Sequence, residues 1–186
     1  MPLWDQILDL QAKMTELRKA YFFQEVLYSY QWWILVVQTI IFWVVWGILV
    51  DQKRLKNILL VGLLSAGIAI MLDDTGLTLD LWNYPYRLFH FSTRLSAVDM
   101  VAIPVAFMLI YQYCRNWRTY LIITILFALY AAFILEPLYI KLNIYTIIHW
   151  KHIYSAPIYA AIGVVAKGAA DIVERIQHKA REKEGS

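Results

Sequence analysis

Residues 31–50 read QWWILVVQTIIFWVVWGILV. This stretch has no charged side chain, and a helix of about 20 apolar residues is long enough to cross the hydrocarbon core of a bilayer. The chain as a whole is also rich in apolar residues, since 61% of its 186 residues are hydrophobic and only 17% are charged. Soluble domains are typically about 45–50% apolar and about 25% charged. The chain is therefore predicted to be an integral membrane protein.

Four more apolar stretches follow the first one along the chain. They are residues 57–72, 100–114, 119–135 and 153–170, the last interrupted only by Lys167. Several of them are shorter than a full span, so helix tilt or snorkelling side chains are expected at their ends. The predicted fold class is all-α, a polytopic membrane bundle of five transmembrane helices preceded by an amphipathic helix.

The segment before the first span has the pattern of an amphipathic helix. Its apolar residues recur every three or four positions, at Leu3, Ile7, Leu10, Met14, Leu17 and Tyr21. A helix over residues 3–27 that lies along the bilayer surface explains this stripe and the aromatic residues at its ends. The alternative is a helix that packs in the core or in an oligomer, since the spacing is close to a heptad.

The predicted domains are an interfacial helix at 1–30, a five-helix domain at 31–174 and a polar cytoplasmic tail at 175–186. Basic residues follow the first, third and fifth spans: Lys53, Arg54, Lys56, Arg115, Arg118, Arg175, Lys179, Arg181 and Lys183. Short loops rich in Lys and Arg usually face the cytoplasm. We therefore expect a multi-pass protein of the cell membrane with its N-terminus outside and its C-terminus inside.

Composition also excludes several classes of function. Cys114 is the single cysteine, so the sequence offers no internal disulfide and no cysteine-based metal site. A net charge of +3 in small basic clusters argues against nucleic-acid binding. His149 and His152 could ligate a metal together with a carboxylate, but their spacing is not one of the strong metal signatures. No metal and no cofactor is predicted.

The expected topology gathers acidic residues at the outer ends of the helices. Glu136 closes an uncharged run, and Asp99 comes one step before the third span. A carboxyl in a partly dry site can keep its proton near neutral pH, as a general acid must. Both are predicted catalytic residues. The alternatives are a helix cap for Asp99 and, for Glu136, an interfacial ion pair with Arg87, Arg94 or Lys151.

Asp73 and Asp74 precede Thr75 and Gly76, a sequence that is typical of a helix end and turn. Adjacent acids point in different directions, so only one of this pair could face a pocket. Aromatic and basic residues of the outer loops are predicted to bind the ligand: Trp82, Tyr84, Tyr86, Arg87, Arg94, Trp150 and Tyr154. Their rings would form a wall and stabilise positive charge, and the arginines would hold a headgroup or diphosphate. The alternative is a rigid loop in an interfacial aromatic belt.

Three motifs carry a family resemblance: WNYPYR at 82–87, Glu136–Pro137, and WKHIYSAP at 150–157. They resemble a family of uncharacterised small five-helix integral membrane proteins of spore-forming Gram-positive bacteria. This resemblance implies a bacterial plasma membrane and five helices, but no activity. More distantly, the acid–proline pair and the W-x-Y loop are similar in style to lycopene cyclase and other integral membrane terpene cyclase domains. Their embedded acids protonate isoprenoid double bonds, and Glu136 would be the matching acid, although their paired-acid motif is missing here.

The sequence supports three hypotheses about function. The first is an outer-half pocket of acids and aromatic rings for a lipophilic, isoprenoid-like ligand, with an acid-initiated cyclase or isomerase as its enzymatic form. The second is a non-enzymatic structural or regulatory protein of the cell envelope or spore. The third is a small transporter, which is disfavoured because spans one to four lack charge at mid-depth. The expected partners are membrane lipids and an apolar small molecule, and a homo-oligomer is a further alternative.

Overall fold

A computed structural model of the chain describes residues 2–184 and shows an all-helical protein. Helix α1 covers Leu3–Tyr21 and leads into a π-helical turn at Phe22–Val26. No residue of α1 is buried, and the residues of its apolar stripe before Tyr21 are all exposed. Residues 1, 185 and 186, which the predicted domains include, lie outside the described residues.

Helix α2 covers Tyr30–Leu49, and the Ser29 side chain caps it by accepting a hydrogen bond from the Trp32 amide at 3.2 Å. A 3₁₀ turn at Gln52–Arg54 leads into helix α3, Leu55–Thr78. The helix end predicted at Thr75 and Gly76 therefore comes two residues later, at Thr78. Helix α3 continues for more than a turn beyond Asp73, because Gly76 keeps a helical conformation there and lets the Trp82 ring pack directly against it.

Two prolines shape the next two apolar segments. A π-helical turn at Val98–Ala102 leads into helix α4, Ile103–Tyr113. Helix α5, Trp117–Tyr130, likewise passes through a π-helical turn at Ala131–Leu135 into helix α6, Glu136–Lys141. Each turn contains the backbone carbonyl that lies four residues before a proline. Because proline has no N–H, this carbonyl loses its usual helical hydrogen bond. The wider turn accommodates the proline ring, so the predicted helix end at Glu136 is wrong and the helix continues.

A two-residue ladder joins the connections that follow α3 and α6. Strand β1, Trp82–Asn83, pairs antiparallel with strand β2, Thr146–Ile147. Trp82 lies opposite Ile147 in this register. The ladder draws both loops together over one end of the bundle, above a small apolar cluster that includes Leu35, Leu95 and Ile144.

Helix α7, His152–Glu184, is the longest element and runs without a break past residue 175, where the polar tail is predicted to start. The main core lies where α3 packs on α4 and α7, and α7 packs on α5. Small residues permit these contacts, as predicted: a Cβ added to Gly62 would lie 2.6 Å from the Met108 sulfur, and one added to Gly163 would overlap Phe107.

Four described helical segments are long and apolar enough to cross a membrane: Tyr30–Leu49, Gln52–Thr78, Trp117–Lys141 and His152–Arg181. A fifth apolar segment, Val98–Tyr113, is shorter. Much of the apolar surface of these helices is exposed, for example at Ile40, Leu63 and Ile122. Large exposed apolar side chains on every side of a bundle are typical of contact with lipid.

Candidate functional site

A cavity of about 310 Å³ lies beneath the β1–β2 ladder, between α3, α7 and the two proline-associated turns. Its lining is mostly apolar, and the acidic side chains that reach it are Asp73, Asp99 and Glu136. Aromatic side chains form much of the remaining wall: Phe42, Trp82, Tyr84, Phe127, Tyr139, Tyr145, Trp150 and Tyr159. Mostly apolar pockets with a few convergent polar groups are typical ligand sites.

Asp73 enters the cavity from helix α3 and is only 5% exposed. Its Oδ1 atom accepts two hydrogen bonds, from Trp82 Nε1 at 2.8 Å and from the Tyr84 hydroxyl at 2.6 Å. These donors come from the loop that the ladder holds over the cavity, so Asp73 ties that loop to α3. The neighbouring Asp74 points elsewhere and pairs with Arg94 at 2.5 Å.

Asp99 lies in the π-helical turn before α4 and interacts directly with the carboxyl of Asp73. It is also 5% exposed. The Oδ2 atoms of Asp73 and Asp99 are both buried, and apart from the interaction between the two carboxyls neither accepts a hydrogen bond from a described N–H or hydroxyl group. Since most buried polar atoms in native proteins are paired, two unpaired oxygens on neighbouring acids need an explanation.

Glu136 reaches the cavity from the start of α6 and is 8% exposed. Its Oε1 accepts a hydrogen bond from the Tyr159 hydroxyl at 3.0 Å, and its Oε2 lies 2.6 Å from His152 Nδ1. The expected alternative partners Arg87, Arg94 and Lys151 are not its partners. The π-helical turn rotates Glu136 inward, towards the first turns of α7 and away from the basic loop residues.

Aromatic packing makes the wall of the cavity rigid. The Trp82 and Trp150 rings meet edge to face with centroids 5.0 Å apart, and the Tyr84 and Tyr145 rings stack at 5.5 Å. Trp150 also donates a hydrogen bond to the Ser155 hydroxyl at 2.9 Å. A Cβ on Gly76 would overlap the indole of Trp82. The position of the tryptophan therefore depends on the absence of a side chain at residue 76.

Burial in this wall also sets the protonation of two loop tyrosines. Burial, with the charges of Asp73 and Asp99, raises the pKa of Tyr84 well above its usual range. Burial, with the charges of Glu136 and Asp73, likewise raises the pKa of Tyr145. Both phenols are therefore neutral at physiological pH, and Tyr84 acts as a hydrogen-bond donor to Asp73.

The structure brings five of the nine predicted site residues together in the cavity: Asp99, Glu136, Trp82, Tyr84 and Trp150. The other four lie outside its lining. Arg94 is held by Asp74, and Tyr154 is half exposed against the outer side of Trp150. Tyr86 and Arg87 face the end of α1, where burial and the charge of Arg18 lower the pKa of Arg87.

The sequence analysis did not predict several residues of the site, among them Asp73, His152 and Tyr159. The signal for the last two is their spacing, because His152, Ser155 and Tyr159 lie three and four positions apart and share one face of α7. Ala69, Asp73 and Gly76 have the same relation on α3. His149 precedes α7 and is exposed, so it does not share a helix face with His152 as proposed from their spacing.

Metal binding is not supported by the arrangement of these acids. Among residues 2–184, no group of three His, Cys, Asp or Glu side chains is placed to hold a metal ion. The described lining of the cavity also contains no Lys, Arg or His.

A second buried charge lies towards the far end of α7. Lys167 is 4% exposed, and its Nζ atom lies 3.2 Å from the Asp171 carboxylate. The same atom lies 4.9 Å from the ring centroids of Tyr111 and Trp117 and 5.2 Å from that of Tyr120. The ion pair joins positions i and i+4 of one helix, and the ammonium group is buried rather than extended to the surface. Three rings and a carboxylate replace the water that snorkelling would provide.

A comparison of the chain with models of protein families, with curated protein sequences and with solved structures finds no match.

Proposed function

We propose that the protein crosses a membrane five times and binds a lipophilic, isoprenoid-like molecule in the cavity, where the buried acids transfer a proton to it. The observation that supports this most directly is the meeting of three carboxyls and a wall of aromatic rings around one mostly apolar cavity. A ligand that is apolar throughout would need no acids, and a polar one would not match the lining.

The shorter segment Val98–Tyr113 serves as the third crossing in this proposal. Its two ends are tied to the two ends of α3: Asp99 contacts Asp73, and the Gln112 carbonyl accepts a hydrogen bond from Arg54 at 3.2 Å. A segment that connects both ends of a membrane-spanning helix crosses the membrane with it. Helix α1 then lies on the bilayer surface with its exposed apolar stripe in the interface.

The basic residues of the loops orient this bundle with the N-terminus outside and the C-terminus in the cytoplasm. The cavity then opens towards the outer half of the membrane. A location in a bacterial plasma membrane rests on the family resemblance and stays a prediction.

Hydrogen bonding divides the roles of the acids. Asp73 and Glu136 each accept hydrogen bonds from neighbouring groups, so both are held in place as acceptors beside the cavity. Asp99 receives no hydrogen bond from a described donor and lies beside Asp73, and two neighbouring carboxyls cannot both ionise easily. Asp99 is therefore the proton donor, Asp73 positions it, and Glu136 is the base.

The proposed reaction needs no oxidant or reductant. The proton of the Asp99 carboxyl passes to one carbon of a double bond, and the π electrons of that bond form the new C–H bond. The other carbon becomes cationic. In a cyclisation it accepts the electrons of a second double bond, which closes a ring and moves the cation to another carbon. With or without ring closure, the cation then loses a neighbouring proton to Glu136, which forms the product double bond. His152, which is about 30% exposed, can pass that proton to solvent. The net change is an isomerisation or cyclisation.

Deuterium uptake from solvent tests this proposal. The full-length protein in phosphatidylcholine nanodiscs is incubated in D₂O with farnesol, geranylgeraniol or squalene, and carbon-bound deuterium is measured by mass spectrometry. The wild type should label at least one of these lipids. Asp99→Asn should reduce the rate about 100-fold, a typical contribution of a general acid, while Asp74→Asn should not, because Asp74 lies outside the cavity.

A Glu136→Gln variant should block turnover while leaving the first proton transfer less affected. Equal labelling by the wild type and Asp99→Asn would remove Asp99 from the chemistry. If no isoprenoid is labelled and none co-purifies with the protein, the acid-initiated function is wrong and a structural role for the buried acids takes its place.

A further inference from the structure

The cavity has an excess of negative charge that the chain does not neutralise. Three acidic side chains line it, and the lining among the described residues includes no basic side chain. The nearest arginine, Arg94, is engaged by both oxygens of Asp74 at 3.0 and 2.5 Å. His152 contacts Glu136 from outside the lining. No described basic side chain therefore forms an ion pair with Asp73 or Asp99, and Arg94 acts on Asp99 only through its more distant charge.

The unpaired oxygens lie where a ligand could reach them. Oδ2 of Asp73 and Oδ2 of Asp99 are buried without partners, and both residues line the cavity. An ionised carboxylate oxygen in an apolar surrounding is costly unless a donor or a cation faces it. A proton shared between the two carboxyls still leaves one net negative charge. A ligand with a positive group at this point would neutralise it, whereas a neutral hydrocarbon would not.

The aromatic wall adds a second element of cation recognition. Trp82 and Trp150 are both in the lining, as are the stacked rings of Tyr84 and Tyr145. The faces of such rings attract cations, and tryptophan does so most strongly. The apolar remainder of the lining, which includes Phe127, Ile158 and Ile162, suits a hydrocarbon chain attached to the charge.

We propose that this cavity is selective for lipophilic cations, with the positive group against the Asp73–Asp99 pair and the hydrocarbon between α5 and α7. This inference rests on the proposed function in using the same cavity, but it adds the charge of the preferred ligand. The two agree chemically, because proton transfer from Asp99 to a double bond would create a cation beside a fresh carboxylate at the same place.

A matched pair of probes tests the charge preference. One is dodecyltrimethylammonium, and the other is its neutral isostere, in which a carbon atom replaces the ammonium nitrogen. Binding to the full-length protein in phosphatidylcholine nanodiscs is followed by tryptophan fluorescence, since Trp82 and Trp150 line the cavity. We expect the cation to bind at least about tenfold more tightly, a difference that one favourable contact with a buried charge supplies.

Two variants locate the effect. Asp73→Asn combined with Asp99→Asn should remove the preference for the cation without removing binding of the neutral probe. Asp74→Asn is the matched control, because it removes an adjacent acid outside the lining and should keep the preference. If the double variant does not fold, Asp73→Asn alone should still lower the preference, because it removes the ionised member of the pair while the Asn oxygen can still accept the hydrogen bonds of Trp82 and Tyr84.

The outcomes separate this inference from the proposed function. Equal affinity for the two probes overturns the selectivity for cations and leaves the cavity as a site for neutral lipophiles. A preference that survives in the double variant overturns it as well, because the preference then arises elsewhere. If neither probe binds and no isoprenoid is labelled, both the inference and the proposed function fail.

Discussion

Helix α7 contacts two buried groups of charged residues that are organised in opposite ways. Near residue 167, one cation has a carboxylate 3.2 Å away and three aromatic rings within 5.2 Å. Near residue 159, three acids surround a cavity, and two of their oxygens have no partner among the described residues. Both groups are nearly inaccessible to solvent, so burial alone does not distinguish them.

The two groups differ in whether the chain itself supplies partners for the buried charges. Around Lys167 the described contacts account for the ammonium group by one ion pair and three ring faces. The described contacts of Asp73 and Asp99 leave one side of the two carboxyls open, and a cavity of about 310 Å³ lies on that side. A buried charge that is fully paired supports the fold, whereas one left incomplete beside a cavity is a candidate for ligand binding.

The largest effect on stability is expected from removing the cation of the fully paired group, Lys167. Lys167→Met keeps the apolar stem but leaves the partly buried Asp171 carboxylate without its cation. Removing one partner of a buried pair typically costs several kcal/mol, so we expect a loss of about 3 kcal/mol in unfolding free energy. The decrease in thermal stability in nanodiscs measures it, with Arg175→Met, an exposed cation on the same helix, as a control that should change little. An unchanged melting temperature would show that the rings and Asp171 do not stabilise the bundle.

A smaller effect is expected from adding a side chain at Gly76, which packs against Trp82 in the wall of the cavity. Gly76→Ala would push the Trp82 ring from its place, because a Cβ at residue 76 overlaps the indole. Forced packing of this kind costs about 2 kcal/mol, and it should also weaken cavity binding of dodecyltrimethylammonium, followed by isothermal titration. Gly67→Ala on the same helix is the control, since nothing lies within 4 Å of its Cβ position. Equal effects of the two variants would exclude close packing of Trp82 on α3 as the cause.

Much of the helical fold could be predicted because helices that face lipid need long runs of apolar residues, which are easily recognised in a sequence. The apolar runs at 31–50 and 153–170 could only be long helices, and both are helical in the structure. The ends of helices were harder to predict. Asp73 and Glu136 are acids beside a glycine or a proline, which usually end a helix, but here burial against Trp82 and a π-helical turn let the helices continue.

The candidate site could be predicted in part, for a reason that lies in topology. Once Asp99 and Glu136 are placed at the same end of the bundle, their meeting with Trp82 follows from the path of the chain. Which members of the aromatic loop turn inward does not follow, because that depends on the pairing of Trp82 with Ile147 across two distant loops. Tyr86 and Arg87 lie only a few residues beyond Tyr84, yet they face α1.

The smallest expected effect concerns the link between Tyr84 and Asp73 at alkaline pH. Burial raises the pKa of Tyr84 above the value of about 10 for an exposed tyrosine. The unfolded chain therefore loses this proton first, and the contribution of Tyr84 to stability is complete below about pH 10 and declines as pH rises towards the folded-state pKa. Tyr84→Phe should lower stability by about 1 kcal/mol at pH 7, through loss of the hydrogen bond to Asp73, and should make the decline between pH 9.5 and 11 less steep.

Tyr145→Phe is the matched comparison for this measurement. Burial raises the pKa of Tyr145 too, but its hydroxyl makes no hydrogen bond to the residues that the structure describes. Thermal unfolding at each pH should therefore show a flatter alkaline decline for both variants, but a loss at pH 7 for Tyr84→Phe alone. If Tyr84→Phe is as stable as the wild type at pH 7, the hydroxyl does not hold the loop to Asp73. The position of the loop over the cavity then depends on the packing of Trp82 against Gly76.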